Sequence, residues 1–170
     1  MYNFEIKNML SDDEIKEFFR FYEAHFIEIY GKDAVENAYF KWCELRQEKK
    51  KGRTFIKITK EDKCLGYAEL QIRKDKSLYF CDIATAKESR ASRLIFEFVK
   101  FVLGCDKFKN YDEIYMHINH KNSVSLRTWS RFGLEKVEEG ESSHQYKIKR
   151  ENVEKYFERF NKNNQNVLKI

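Results

Sequence analysis

The chain of 170 residues predicts an α/β (α+β) fold, a mixed, largely antiparallel central sheet of about six or seven strands with helices on both faces. Three observations carry this. A capping box at Ser11 and Glu14 opens a segment whose apolar residues recur every three or four positions. From Arg53 the apolar period changes to two. From Ile83 onward, strand-like and helix-like stretches alternate and close on a hairpin.

In order, Tyr2 to Ile6 alternates as a short strand. Ile15, Phe18, Phe19, Tyr22, Phe26 and Ile29 define the first helix, which Gly31 ends. A second helix is expected from about Asp33 to Lys50, with Val35, Tyr39, Trp42 and Leu45 on one face as core or lid. Phe55, Ile56 and Ile58 form a strand, the polar EDK makes a turn, and CLGYAELQIRK forms the returning strand. After a KDK turn comes a third strand from Ser77 to Thr85, then a helix from about Arg90 to Leu103. The strand EIYMHI follows, then a short helix from Ser123 to Phe132 stopped by Gly133. Leu134 to Glu138 and Ser143 to Lys149 read as a closing hairpin, and a last amphipathic helix carries Val153, Tyr156, Phe157 and Phe160. This organises residues 1–160 as one domain with a polar tail at 161–170.

Hydrophobic residues are 42% and aromatics 16%, enough for a packed interior. The net charge of +5 comes from 33 basic and 28 acidic residues that are interspersed, so a nucleic-acid surface is not expected. Cys43, Cys64, Cys81 and Cys105 are single and widely spaced, with no clustered histidines to complete a metal site, which suggests a reduced, cytoplasmic protein. The N-terminal stretch lacks the basic head and apolar core of a secretory signal, and no apolar run approaches the roughly 20 residues of a spanning helix, so no membrane partner is expected.

The stretch IATAKESRASRLI, from Ile83 to Ile95, is the pivot. A strand feeding a helix through such a loop leaves backbone N–H groups free at the helix start, a seat for phosphate oxygens. Lys87, Arg90 and Arg93 add positive charge there. A solvated basic turn is the alternative.

Two motifs resemble those of the GNAT superfamily of N-acetyltransferases. Ile83-Ala84-Thr85, followed five residues later by Arg90-Ala91-Ser92-Arg93-Leu94-Ile95, matches the spacing of the family's acyl-CoA motif, with Arg93 and Ile95 where small residues are usual. Asn122-Ser-Val-Ser125-Leu126-Arg-Thr-Trp129-Ser-Arg-Phe132-Gly133 matches a second motif, with Trp129 where many members have a tyrosine acid. The resemblance implies acetyl-CoA as co-substrate, held by Ile83, Ala84, Thr85, Arg90 to Ile95, Asn122 and Trp129, and direct transfer of the acetyl group to an amine acceptor. It implies His117 as first choice for the base, since imidazole titrates in the useful range, with Glu69 and Asp82 as alternatives and Tyr146 among the substitutes for the missing acid. For His117 a strand histidine bonded into the sheet stays open, as does an N-cap role for Asn122. Homodimers are frequent in the family. A non-catalytic GNAT-like binding protein with a degenerate coenzyme site is the competing reading, and the motif departures point to it.

Overall fold

The computed structural model describes residues 1–32, 42, 52–90 and 93–167, with side chains through 161. The strands are β1 (Tyr2–Lys7), β2 (Arg53–Lys60), β3 (Lys63–Ile72), β4 (Leu78–Thr85), β5 (Glu113–Asn119), β6 (Glu135–Glu138) and β7 (Ser143–Lys149). The helices are α1 (Asp12–Tyr30), α2 (Leu94–Gly104), α3 (Ser123–Ser130) and α4 (Arg150–Val167). Seven strands form one mixed, largely antiparallel sheet in the order β1-β2-β3-β4-β5-β7-β6. The expected mixed sheet is therefore observed. Residues 1–73 with 80–109 make one compact unit, and 74–79 with 110–170 make a second.

Two element boundaries move by more than two residues. α2 begins at Leu94 instead of Arg90, because Lys87–Ser89 form a single 3₁₀ turn that Arg90 closes through its N–H to the Lys87 carbonyl. α4 continues to Val167, through most of the residues read as tail. The expected helix over 33–50 lies outside the described residues apart from Trp42.

In the first unit, α1 starts as its sequence dictates. Ser11 Oγ accepts from the Glu14 N–H at 3.3 Å, and Glu14 Oε2 accepts from the Ser11 N–H at 3.0 Å. Gly31, at φ 85°, ends the helix in a conformation that a Cβ disfavours. The pairing registers then show which face each helix covers. Phe4 pairs with Ile58, and its ring meets Phe98 and Phe101 of α2 at 6.0 and 5.1 Å between centroids. Lys57, one residue along β2, points the other way and pairs with Glu17 of α1 at 2.9 Å. Opposite Lys57 stands Tyr67, whose ring stacks on Phe18 of α1 at 4.8 Å. Helices therefore cover both faces of this part of the sheet.

That assignment exposes an irregularity in β4. Phe80 packs on Phe98, on the α2 face. Asp82 accepts a hydrogen bond from Tyr67 Oη, and Ala84 joins Phe18, Trp42 and Tyr67, on the α1 face. Strict alternation would place 80, 82 and 84 on one face. The pleat slips by one residue between Phe80 and Asp82, as in a β-bulge.

In the second unit β5 and β7 pair without a register break, His117 opposite Gln145 and Met116 opposite Tyr146. The even positions Ile114, Met116, Ile118 and Ile148 are buried, together with Trp129 and Phe132 from the α3 region and Val153 and Phe157 of α4. The odd positions are polar: Lys147 Nζ reaches Glu113 at 3.2 Å and Glu135 of β6 at 3.8 Å. Among the described residues no helix is long and apolar enough to cross a membrane.

The β2–β3 hairpin turns through Glu61 and Asp62 at φ 51° and 60°, the left-handed pair of a type I′ turn, built here without asparagine or glycine. A left-handed residue with a Cβ costs roughly 1 kcal/mol or more. The double substitution Glu61→Asn, Asp62→Gly should stabilise the protein by about 1 kcal/mol and raise Tm by about 2–4 °C in a thermal melt.

Candidate functional site

The expected site residues fall into three groups. In the first unit, Ile83, Ala84 and Thr85 end β4, with Ala84 and Thr85 buried. Here β3 comes unusually close. Gly66, at φ 152°, occupies a place where a Cβ would stand 2.3 Å from the Ala84 carbonyl oxygen and 2.8 Å from Thr85 Cα, so only glycine fits. The Ala86 N–H donates to the Leu65 carbonyl at 2.7 Å, carrying the β3 contact one residue beyond the strand.

Arg90 does not stand free over the turn. Its Nε and Nη2 both donate to the Thr85 carbonyl at 3.3 Å, and Nη1 pairs with Glu28 of α1. One guanidinium fork thus caps the end of β4 and ties it to α1. Arg93 precedes α2 without a side-chain cap, and its guanidinium lies 5.5 Å from the Phe96 ring centroid. Leu94 points into the core at 1% exposure and Ile95 is half-buried. Ala91 and Ser92 lie outside the described residues.

The two carboxylates proposed from sequence share the α1 face but differ in environment. Glu69 was named from sequence as an alternative base. It is fully buried at 0% exposure and ion-paired with Arg53, because Phe55 stands opposite it and this side of the sheet lies beneath α1. A carboxylate held this way is anchored by its partner. Asp82 is half-buried and ends a chain of hydrogen bonds: Trp42 Nε1 donates to Tyr67 Oη at 3.3 Å, and Tyr67 Oη donates to Asp82 Oδ2. His25 of α1 sits in the field of Arg90, Asp82 and Glu28. Burial first, and then Arg90, hold its pKa below the ordinary histidine value, with Asp82 and Glu28 opposing. Cys64 is a half-buried thiol pushed up to about 11, chiefly by desolvation. Sequence reading singled out neither Tyr67 nor His25. Their signals, a tyrosine two residues before Glu69 and a histidine in an acidic helix, have no meaning until the faces are known.

In the second unit, His117 is exposed on the polar face of β5, and its Nδ1 is hydrogen-bonded to Tyr79 Oη, the rings 5.9 Å apart and tilted by 59°. Tyr146 lies one position off in register, paired with Met116, so it projects from the opposite face and does not converge with His117. Asn122 is the N-cap of α3, its Oδ1 accepting from the Ser125 N–H at 3.0 Å. Trp129 is buried at 6% exposure with its ring 5.9 Å from that of Phe132. Tyr79 was not picked out from sequence, because an aromatic on a buried-looking strand reads as core. Among the described residues no group of three or more histidine, cysteine or acidic side chains could hold a metal ion.

No protein-family model and no curated protein matches the sequence. Solved structures do. The chain is similar to the PaiA N-acetyltransferase of Thermoplasma acidophilum in complex with coenzyme A, with 18% identity, a TM-score of 0.65, and 86% of this chain and 99% of that one covered. It is similar to an acetyltransferase of the GNAT family from Staphylococcus aureus, with 13% identity, a TM-score of 0.64, and 86% and 99% covered. It is also similar to the Campylobacter jejuni N-acetyltransferase PseH in complex with acetyl coenzyme A, with 13% identity, a TM-score of 0.59, and 88% and 99% covered. At these identities the likeness is one of fold.

Two outcomes follow from these environments. Because the folded state disfavours protonated His25, the unfolded chain binds more protons as pH falls below about 6.5, and stability drops there. Urea denaturation of wild type and His25→Asn between pH 7.5 and 5 should show the wild type losing the larger increment. Glu69→Gln strands the Arg53 charge and should cost about 3–5 kcal/mol by the same assay, whereas replacing both partners with apolar residues should be close to neutral or stabilising.

Proposed function

We propose that this chain, which has the GNAT fold, is an N-acetyltransferase that moves an acetyl group from acetyl-CoA to a primary amine by direct attack. The observation that carries the reading is the fold shared over 86% of the chain with an N-acetyltransferase crystallised with coenzyme A. The local features agree with it. The start of α2 follows the end of β4 through a short loop, the kind of strand-to-helix junction that seats the oxygens of a pyrophosphate. β4 carries a pleat slip at its middle, between Phe80 and Asp82, a device that frees main-chain groups from regular pairing.

The chemistry assigned to the protein is modest. The substrate ammonium gives a proton to His117 Nε2, and the amine nitrogen then attacks the thioester carbonyl carbon. The C–N bond forms and the C–S bond breaks; the second proton on the attacking nitrogen passes to the departing thiolate, so coenzyme A leaves as its thiol and His117 returns its proton to solvent. A thiol pKa near 8.5 makes that departure feasible without a strong acid, so the loss of the usual tyrosine at Trp129 slows the reaction without forbidding it. Glu69, buried against Arg53, is left out of this scheme.

A second reading, a non-catalytic binding protein of the same fold, is favoured by one observation: Arg90 is already engaged by Thr85 and Glu28, where the motif would aim it at phosphate. Calorimetry with acetyl-CoA and with free CoA separates the two. Micromolar-range binding of either supports the acetyltransferase, and no binding of either removes it. In the binding-competent protein, His117→Ala should lower kcat by about 10²-fold or more while leaving acetyl-CoA affinity within a few-fold. An unchanged kcat would take His117 out of the base role.

A further inference from the structure

Nothing in the sequence pairs residue 79 with residue 117, yet their side chains meet. Tyr79 Oη is bonded to Nδ1 of His117, the two rings are tilted 59° at 5.9 Å, and His117 is exposed on its strand while Tyr79 is half-buried. The bond leaves Nε2 as the ring nitrogen for proton exchange. A phenol both donates and accepts, so the bond is compatible with two tautomers, and they differ in consequence. If Tyr79 donates to Nδ1, the neutral imidazole carries its proton on Nε2 and has no lone pair there to offer. If Nδ1–H donates to Tyr79, Nε2 holds the lone pair.

We infer that Tyr79 is a positioning residue that accepts the Nδ1–H of His117, locking the imidazole in the tautomer whose Nε2 takes the substrate proton. The inference rests on the acetyltransferase reading only for its consequence in turnover; the tautomer itself is a property of the resting protein. The second partner orients a basic imidazole as a carboxylate does in other histidine sites, with a neutral phenol oxygen in place of the charge. Half burial restricts the tyrosine ring, and hydrogen bonding at Nδ1 limits rotation of the imidazole about its Cβ–Cγ bond, so the direction of Nε2 is set as well as its protonation.

The experiment is histidine ¹⁵N NMR of the full chain at a pH where imidazole is neutral, on wild type, Tyr79→Phe and Tyr79→Glu. It is run alongside release of CoA from acetyl-CoA with n-butylamine as a minimal primary amine. Glutamate at this position has only acceptor oxygens when ionised, so it enforces the Nδ1–H form that phenylalanine cannot hold. Wild type and Tyr79→Glu should show the His117 proton on Nδ1, and Tyr79→Phe should move it toward Nε2. The kcat of Tyr79→Phe should fall at least about tenfold with KM for acetyl-CoA unchanged, and Tyr79→Glu should recover most of that loss, a pattern that simple loss of packing would not give. An Nε2–H tautomer in wild type, or no change of tautomer in Tyr79→Phe, overturns the inference. Failure of wild type to bind acetyl-CoA in calorimetry would instead overturn the acetyltransferase reading, and the NMR result would still decide the role of Tyr79.

Discussion

Between Phe80 and Asp82 the pleat of β4 slips by one residue, and much of the first unit follows from that slip. Before it, the strand feeds Phe80 into the apolar layer beneath α2 with Phe98, Val99 and Val102. After it, Asp82 and Ala84 face α1, where Tyr67 supplies a hydrogen bond to the carboxylate. Without the slip the carboxylate of Asp82 would be driven under α2, and an unpaired charge in such a layer costs several kcal/mol. The strand solves a conflict in its own sequence: an acid two residues from a core phenylalanine can be accommodated only if the two change faces. Gly66 secures the outcome from the neighbouring strand, because the shifted end of β4 lies so close to β3 that no side chain fits between them.

Charges then fix the segments that this geometry brings together. The Arg90 fork joins the Thr85 carbonyl to Glu28, so the end of β4 and the far end of α1 share one guanidinium. Arg53 and Glu69 do the same deeper in the sheet, with almost no water to screen them. Such pairs add little net stability, and their value is in specifying arrangement: in the buried Arg53–Glu69 pair, either partner alone is strongly destabilising in its place. In the second unit the division is cleaner. The even positions of β5 build the core with α4, and the odd positions carry charge and the histidine.

Most of the fold was legible in the sequence, because the signals were periodic. The capping box at Ser11 and Glu14, the change to period two at Arg53 and the Asn122 cap each act within a few residues, and each is found where the pattern places it. The start of α2 was misplaced by four residues, since a short 3₁₀ turn carries no periodic signature of its own. The site was less legible. The burial of Glu69 was not legible, because it depends on what covers the strand and on an ion-pair partner sixteen residues away. Tyr67, His25 and Tyr79 escaped notice because their meaning arises from the partner each meets across the sheet or from a neighbouring element, which no local pattern shows.

The outer strands have a different consequence. Among the described residues, β1 and β6 stand at the two margins of the sheet, each with one side of its backbone unpartnered by another strand. β6 has only four residues, all exposed, with an irregular step between Lys136 and Glu138, and β1 alternates Glu5 and Lys7 with its apolar positions. A short, charged and kinked strand such as β6 is a poor template for a foreign strand, and the charges of β1 serve the same end, since open sheets grow edge to edge. In a chain with fifteen phenylalanines, the charged residues along those two borders disfavour such growth.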